Sequence, residues 1–155
     1  MKPKLEPLSL ELIQKAITDC NMHSSFQNDA FYMQFLSGNK DMDAALKDIH
    51  FIMSASIFKP TALMLRIQMN RSFPITDLDR LLALVNRHNY EHLWPRAVVD
   101  IEPDKKVDVL CDFCVDCECG VTVDHVSGWL TDASTGAVAL FEKLVLQEKI
   151  ATVSW

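Results

Sequence analysis

Residues 107–115 read VDVLCDFCV, and this stretch decides the fold. Its odd-numbered positions are apolar, whereas Asp108 and Asp112 occupy two of its even-numbered positions. Such alternation is typical of a β-strand, because successive side chains point to opposite faces of a sheet. The stretch therefore predicts a strand, Val107 to Val115, with one face on the core and the other toward solvent.

Four further stretches are predicted to be strands of the same sheet. The nearest, Ala97 to Ile101, reaches residue 107 through Glu102-Pro103-Asp104-Lys105, with proline at the favoured second position of a turn. Such a short connection predicts an antiparallel hairpin. The other three candidates lie upstream and are rich in aromatic or alternating apolar residues: Phe31 to Leu36, Phe51 to Phe58 and Leu63 to Arg71.

Three helices are predicted to flank this sheet. Ser9 is a good N-cap for a helix that runs to Cys20, and Thr76 is a good N-cap for a second helix. The second helix must end before Trp94-Pro95, because the residue before a proline avoids helical angles. Thr122 is the expected N-cap of the last helical region.

The elements follow the order α-β-β-β-α-β-β-α, which predicts an α+β fold with a twisted antiparallel sheet of about five strands flanked by helices. Lys40 to Asp48 stays ambiguous between loop and short helix, and Thr131 to Gly136 is expected to kink or split the last helix. Apolar spacing predicts a core that includes Ile13, Ile17, Leu65, Ile67, Leu78, Leu82, Val85, Val99, Val109, Phe113, Trp129, Leu140 and Phe141.

The composition is typical of one globular domain, and we expect it to span residues 1–155. The chain is 49% hydrophobic and 23% charged, which are ordinary values for such a domain. Its formal net charge is -6, and its lysines and arginines are scattered along the chain. A nucleic-acid binder usually concentrates basic residues on one surface, so we expect neither nucleic acid nor an anionic membrane as a partner.

Sequence features also predict a cytoplasmic protein. The N-terminal stretch lacks the apolar core of a secretory signal, and no apolar run approaches the roughly 20 residues that span a bilayer. The chain has five cysteines, an odd number, which favours reduced thiols over a framework of disulfides.

Four of the cysteines form a cluster: Cys111, Cys114, Cys117 and Cys119. Four thiols in nine residues suit a metal site or thiol-redox chemistry in principle. A regular strand, however, points Cys111 and Cys114 to opposite faces, and no turn residue lies between them. The favoured interpretation is that Cys111 is a small buried hydrophobe. Flanking acidic residues are also expected to raise the pKa of Cys117 and Cys119, which reduces their reactivity.

His88 and His92 are weaker metal candidates. They lie four residues apart on a predicted helix and so share a face, but the segment lacks the HExxH pattern. The favoured interpretation is structural: both lie near a helix C-terminus, where a partly cationic imidazole is stabilised. No GxSxG motif and no phosphate-binding loop occur in the sequence. We therefore expect no catalytic residue, no cofactor and no enzymatic activity.

Three short motifs follow one another in the C-terminal half. They are Asn86-Arg87-His88-Asn89 at a helix end, Pro95-Arg96-Ala97 at a strand start and Gly120-Val121-Thr122 at a helix entry. With this spacing the chain resembles the YbjN family of bacterial sensory transduction regulators. The resemblance implies a fold similar to type III secretion chaperones, which are often dimeric and bind polypeptide segments. The cysteine cluster is not part of the family pattern.

These observations predict a non-enzymatic interaction or regulatory module, chaperone-like in shape, that binds a protein or peptide partner as a homodimer. The alternative is a metal-binding or thiol-redox protein that uses the cluster between Cys111 and Cys119. The predicted binding surface is the sheet face opposite the core, where Met64, Arg66, Gln68 and Leu110 mix apolar and hydrogen-bonding side chains.

Overall fold

The computed structural model describes residues 4–154, which contain four α-helices and eight β-strands. The helices are α1 (Leu10–Asp19), α2 (Lys40–Ala45), α3 (Leu78–Glu91) and α4 (Val123–Glu142). The strands are β1 (Ser24–Gln27), β2 (Ala30–Phe35), β3 (Phe51–Phe58), β4 (Ala62–Met69), β5 (Arg71–Pro74), β6 (Arg96–Ile101), β7 (Lys106–Asp116) and β8 (Val153–Ser154). A 3₁₀ turn (Ile75–Asp77) precedes α3, and a π-helical turn (Lys143–Gln147) follows α4.

All strand pairs are antiparallel, and β7 has the largest number of partner strands. On one side β7 pairs with β4 and then β5, and on its other side with β6. Beyond β4 the sheet continues through β3 and β2 to β1, while β8 pairs with β5. The predicted antiparallel pairing of β6 with β7 is confirmed, with Val99 opposite Val109.

The core lies between one face of the sheet and the helices. The odd-numbered residues of β4 and β7 are buried there, except for the partly buried Val115, as the alternation of apolar residues predicted. Helix α1 packs against α4, α4 packs against β4 and β7, and α3 lies along β6. Nine of the predicted core residues are at most 5% exposed: Ile13, Ile17, Leu65, Ile67, Val85, Val109, Phe113, Leu140 and Phe141.

The expected count of about five strands and the expected element order are incomplete. The five predicted strands correspond to β2, β3, β4, β6 and β7, and the structure adds β1, β5 and β8. The ambiguous stretch after Gly38 begins with a short helix, α2, in which the side chain of Asn39 accepts from the N–H groups of Asp41 and Met42. These additions are short elements at the margins of the sheet, where apolar periodicity is weakest.

Two of the three predicted helix caps are confirmed. Ser9 accepts a hydrogen bond from the N–H of Leu12, and Thr122 forms a capping box with His125 at the start of α4. Thr76 instead lies inside the 3₁₀ turn, and α3 begins at Leu78 without a side-chain cap.

Three further expectations about the helices and core differ from the structure. Helix α4 runs unbroken through residues 131–136, so it is not split there. Leu82 is 41% exposed, because α3 buries Leu81, Leu84 and Val85 and so turns a slightly different face toward the core. Leu78, Val99 and Trp129 are only partly buried at the margin of the core.

Candidate functional site: the open face of the sheet

The candidate site is the sheet face opposite the helices, whose side chains form three rows across neighbouring strands. The middle row crosses five strands and consists of Tyr32, Ser54, Arg66, Asp112 and Arg96. The row on one side consists of Gln34, Ile52, Gln68, Leu110 and Val98, and the row on the other side of Ala30, Ser56, Met64 and Cys114. We call these three rows the open face. Sheet pleating places Met64, Arg66, Gln68 and Leu110 together on it, on β4 and β7.

A bidentate ion pair lies at the centre of the open face. Arg66 donates from Nε to Asp112 Oδ1 at 2.7 Å and from Nη2 to Asp112 Oδ2 at 2.8 Å. Hydrogen bonding to Asp112 raises the pKa of Arg66, and the charges of Asp112 and Asp100 add to this. Because the Arg66 side chain is 49% exposed, the pair contributes little to stability. Its main effect is to hold the planar guanidinium of Arg66 in a fixed orientation.

Apolar side chains lie beside this ion pair. Val98 is 44% exposed, and Met64 and Ile52 are partly exposed. Leu110 differs from the sequence-based expectation, because it is only 8% exposed although it lies on this face between Gln68 and Val98. Most of its surface is already covered within one chain, so Val98 and Met64 offer the larger apolar contact area.

A shallow groove of about 270 Å³ crosses the open face. Its lining consists of Tyr32, Ile52, Ser54, Arg66 and Gln68. The phenol, hydroxyl, amide and guanidinium groups can donate hydrogen bonds, and the ring and the isoleucine provide apolar contact. This combination suits a polypeptide segment, because its main-chain carbonyls accept hydrogen bonds and its apolar side chains pack on apolar surface.

The cysteine cluster is distributed over different environments. Cys111 is fully buried beneath the helices, and burial strongly raises the pKa of its thiol. Cys114 lies on the open face opposite Met64, while Cys119 is exposed in the loop after β7. Cys117 is buried, its thiol donates to the carbonyl of Val115 at 3.5 Å, and burial raises its pKa.

His88 and His92 face each other but turn ring nitrogens toward main-chain carbonyls. Their rings stack at 4.6 Å, with His88 Nε2 3.0 Å from the Pro95 carbonyl and His92 Nδ1 3.2 Å from the His88 carbonyl. Burial lowers the pKa of His88, which opposes the partly cationic imidazole expected for this residue. Across residues 4–154, no three His, Cys, Asp or Glu side chains are grouped so that they could hold a metal ion.

The edge of the sheet beside the open face is partly closed by side chains. Asn89 Nδ2 donates to the Ala97 carbonyl at 2.8 Å, and Asn89 Oδ1 accepts from the Ala97 N–H at 2.8 Å. Four residues further along β6, the N–H of Ile101 donates to Asp100 Oδ1 at 2.9 Å. Asn89 thus makes the contacts that a neighbouring strand would make to Ala97.

These contacts account for two of the sequence motifs, the one that ends in Asn89 at the end of α3 and the one that ends in Ala97 at the start of β6. Comparison with known families matches residues 16–145 to YbjN, described as "Putative bacterial sensory transduction regulator". The chain belongs to the YbjN family. The match covers most of the chain and includes both Asn89 and the open face. The family is described as one of regulators, not of enzymes.

The fold is that of a solved YbjN structure. A crystal structure of YbjN from E. coli, described there as "a putative transcription regulator", superposes with a TM-score of 0.75 at 12% sequence identity. The alignment covers 95% of this chain and 98% of that one. At this identity the likeness shows the YbjN fold alone. A search of curated proteins found no match to the chain.

Sequence reasoning missed several parts of this YbjN surface. Tyr32, Ile52 and Val98 join Met64 and Arg66 only through the pairing of strands that are distant in sequence. Their alternation within each strand was visible, but the register that aligns them was not. None of the helices in the described part of the chain is long and apolar enough to cross a membrane.

Proposed function

We propose that this chain is a non-enzymatic regulatory module that binds a polypeptide partner on the open face and acts as a homodimer. The observation that carries the proposal is the composition of that face. A fixed guanidinium, several hydroxyl and amide groups, and the apolar side chains of Met64 and Val98 share one surface. Such mixtures of apolar and hydrogen-bonding groups are common at protein interfaces.

The partly closed edge of β6 favours binding on the face over addition of a strand. Strand addition requires free N–H and C=O groups along an edge. At β6, Asn89 engages both main-chain groups of Ala97, and Asp100 engages the N–H of Ile101. A partner therefore meets fewer unpaired groups at this edge than it would on an open strand, whereas the side chains of the face stay accessible.

The test combines affinity capture with measurement of molar mass. Replacing Met64 by glutamate puts a charge in place of one of the main apolar side chains of the open face and is expected to abolish capture of the partner. A variant at Leu110 is less suitable because that side chain is 8% exposed, and a charge there is expected to disturb the fold.

Tyr90→Glu is the matched control, because Tyr90 is 92% exposed on α3 and belongs to none of the three rows of the open face. Proteins retained by wild type and by Tyr90→Glu but not by Met64→Glu, identified by mass spectrometry, support the proposal. Light scattering of the three proteins reports the homodimer. A folded Met64→Glu variant that keeps both its partner and its molar mass contradicts the assignment of the open face.

A further inference from the structure

A second groove lies at the end of the open face, where the β4–β7 ladder is interrupted. The ladder stops at Gln68 opposite Leu110 and resumes at Phe73 opposite Val107. Four residues of the β4–β5 segment therefore lie against two residues of β7. Asn70 leaves the ladder within this gap, and its side chain binds the N–H of His50 and the carbonyl of Asp48 instead.

The interruption opens a cavity beside Asp108. The cavity has a volume of about 410 Å³, and its lining consists of Gln68, Ser72, Glu102, Pro103, Asp104, Lys106 and Asp108. Three of the lining side chains are carboxylates and one is an ammonium group. Because Lys106 is already bound to Asp104 at 2.8 Å, the cavity retains an excess of negative charge from Glu102 and Asp108.

Asp108 has an unusual environment for a carboxylate. Its Oδ1 atom is buried, and nothing within residues 4–154 donates a hydrogen bond to it. Across the strand pair it lies directly opposite Asp100, another carboxylate on the same face. A buried acceptor without a donor and two like charges side by side are each destabilising. A cation bound in the groove neutralises the charge of Asp108 and so reduces the repulsion between the two carboxylates.

We infer that this groove accepts a lysine or arginine side chain of the polypeptide bound on the open face, with Asp108 as its principal partner. The inference rests on the proposed function and names the chemistry of the partner. Charge complementarity selects the occupant, because the groove is acidic and adjoins the open face at Gln68, which lines both grooves. An ammonium or guanidinium supplies several N–H donors to the carboxylates that line the groove and neutralises the charge of Asp108 beside Asp100.

The experiment compares two labelled peptides at an ionic strength of about 0.15 M, where exposed charges are screened beyond about 8 Å. One is a fluorescein-labelled peptide of alternating arginine and valine. The other has every arginine replaced by citrulline, its neutral isostere. Fluorescence anisotropy measures the affinity of both peptides for wild type, Asp108→Asn and Asp132→Asn. Asp132 is exposed on α4, so Asp132→Asn makes the same change in net charge away from the groove.

The inference predicts that Asp108→Asn weakens binding of the arginine peptide by about tenfold, as expected for loss of one charged hydrogen bond. Asp132→Asn is expected to leave the affinity unchanged, and the citrulline peptide is expected to bind all three proteins weakly. Equal losses in the two variants, equally tight binding of the citrulline peptide, or no binding of the arginine peptide to wild type would each overturn it.

The Met64→Glu variant separates this inference from the proposed function. If Met64→Glu loses the arginine peptide but Asp108→Asn retains it, the open face binds polypeptide and the groove beside Asp108 does not accept the cation. If wild type binds the peptide and neither substitution weakens binding, both the groove and the open face are wrong as binding sites. Removal of the Asp100–Asp108 repulsion is also expected to raise the melting temperature of free Asp108→Asn.

Discussion

Gly136 of α4 lies against Pro95, so closely that a Cβ atom on Gly136 would be 2.5 Å from Pro95 Cδ. A glycine in the middle of a 20-residue helix is otherwise unfavourable, because glycine has low helix propensity. Here it permits the segment between α3 and β6 to touch α4. On the opposite side of this segment, the ring of Trp94 packs at 4.9 Å from that of Phe113 on β7. The contact thus fixes the start of β6 between helix and sheet.

Replacing Gly136 by alanine is expected to destabilise the protein by about 1–3 kcal/mol, because Pro95 or α4 must move. Gly128 provides the matched control in the same helix, since a Cβ atom there meets nothing within 4 Å. Gly128→Ala is expected to leave the protein unchanged or to stabilise it by up to about 1 kcal/mol. Urea denaturation measures both variants, and equal stabilities would show that the contact is not tight.

Asn89→Ala is expected to lower the free energy of unfolding by about 1–3 kcal/mol. The substitution leaves the N–H and C=O of Ala97, a residue only 4% exposed, without their partner. Asn86→Ala is the control, because Asn86 is exposed on the same helix. Thermal denaturation should separate the two variants clearly. A loss of stability in Asn86→Ala as large as in Asn89→Ala would contradict a specific role for Asn89.

His88 is expected to make the protein less stable at acidic pH. Burial lowers its pKa from the ordinary 6.5, with smaller contributions from His92 and Lys143, while the Pro95 carbonyl and Glu91 act in the opposite direction. Well above pH 6.5 the imidazole is neutral in both states and adds no pH dependence. Below it the unfolded chain binds a proton that the folded chain does not, so stability falls as pH falls.

The measurement is urea denaturation of wild type, His88→Gln and His23→Gln between pH 5 and pH 7.5, a window chosen around the ordinary histidine pKa of about 6.5. His88→Gln should lose part of the pH dependence of wild type. His23 is exposed, so His23→Gln should retain it. A His88→Gln profile parallel to that of wild type would show that His88 does not contribute to acid sensitivity.

The cysteines are expected to react with iodoacetamide in order of exposure. Cys119 is exposed and should be alkylated first, with the partly buried Cys114 following. Cys111 is buried and its thiol pKa is strongly raised, so it should react only after unfolding. Peptide mass spectrometry over a time course measures the order. Rapid labelling of Cys111 in the folded protein would contradict its place in the core.

The strands of the C-terminal half could be predicted from the sequence because each carries its own signal. In residues 107–115 every odd-numbered position is apolar, and the predicted turn at Pro103 closes with a hydrogen bond from the Lys105 N–H to the Glu102 carbonyl at 2.9 Å. The separation of Cys111 from Cys114 follows from the same alternation. Local patterns of this kind need no knowledge of distant partners.

The remaining features depend on contacts that no local pattern encodes. Strand β1 is polar and mostly exposed, and its hairpin turn uses Asn28 and Asp29 at positive φ in place of the usual glycine. Burial of Leu110 on the open face and the gap at Asn70 arise from pairing between β4, β6 and β7. The groove beside Asp108 therefore could not be found from sequence alone.

The pairing of β7 with both β4 and β6 also affects how the chain can fold during synthesis. Strand β4 has β3 on one side, but its other neighbour lies more than 40 residues downstream, as in the pair Arg66–Asp112. Likewise α1 packs on α4, across more than 100 residues. Until β7 and α4 have left the ribosome, the apolar face of β4 is not covered by α4, and one edge of β4 is not paired with β7. We therefore expect chaperones to bind the apolar surface that the emerging chain exposes. Fragments produced by a cut between β5 and α3 should fold only when combined.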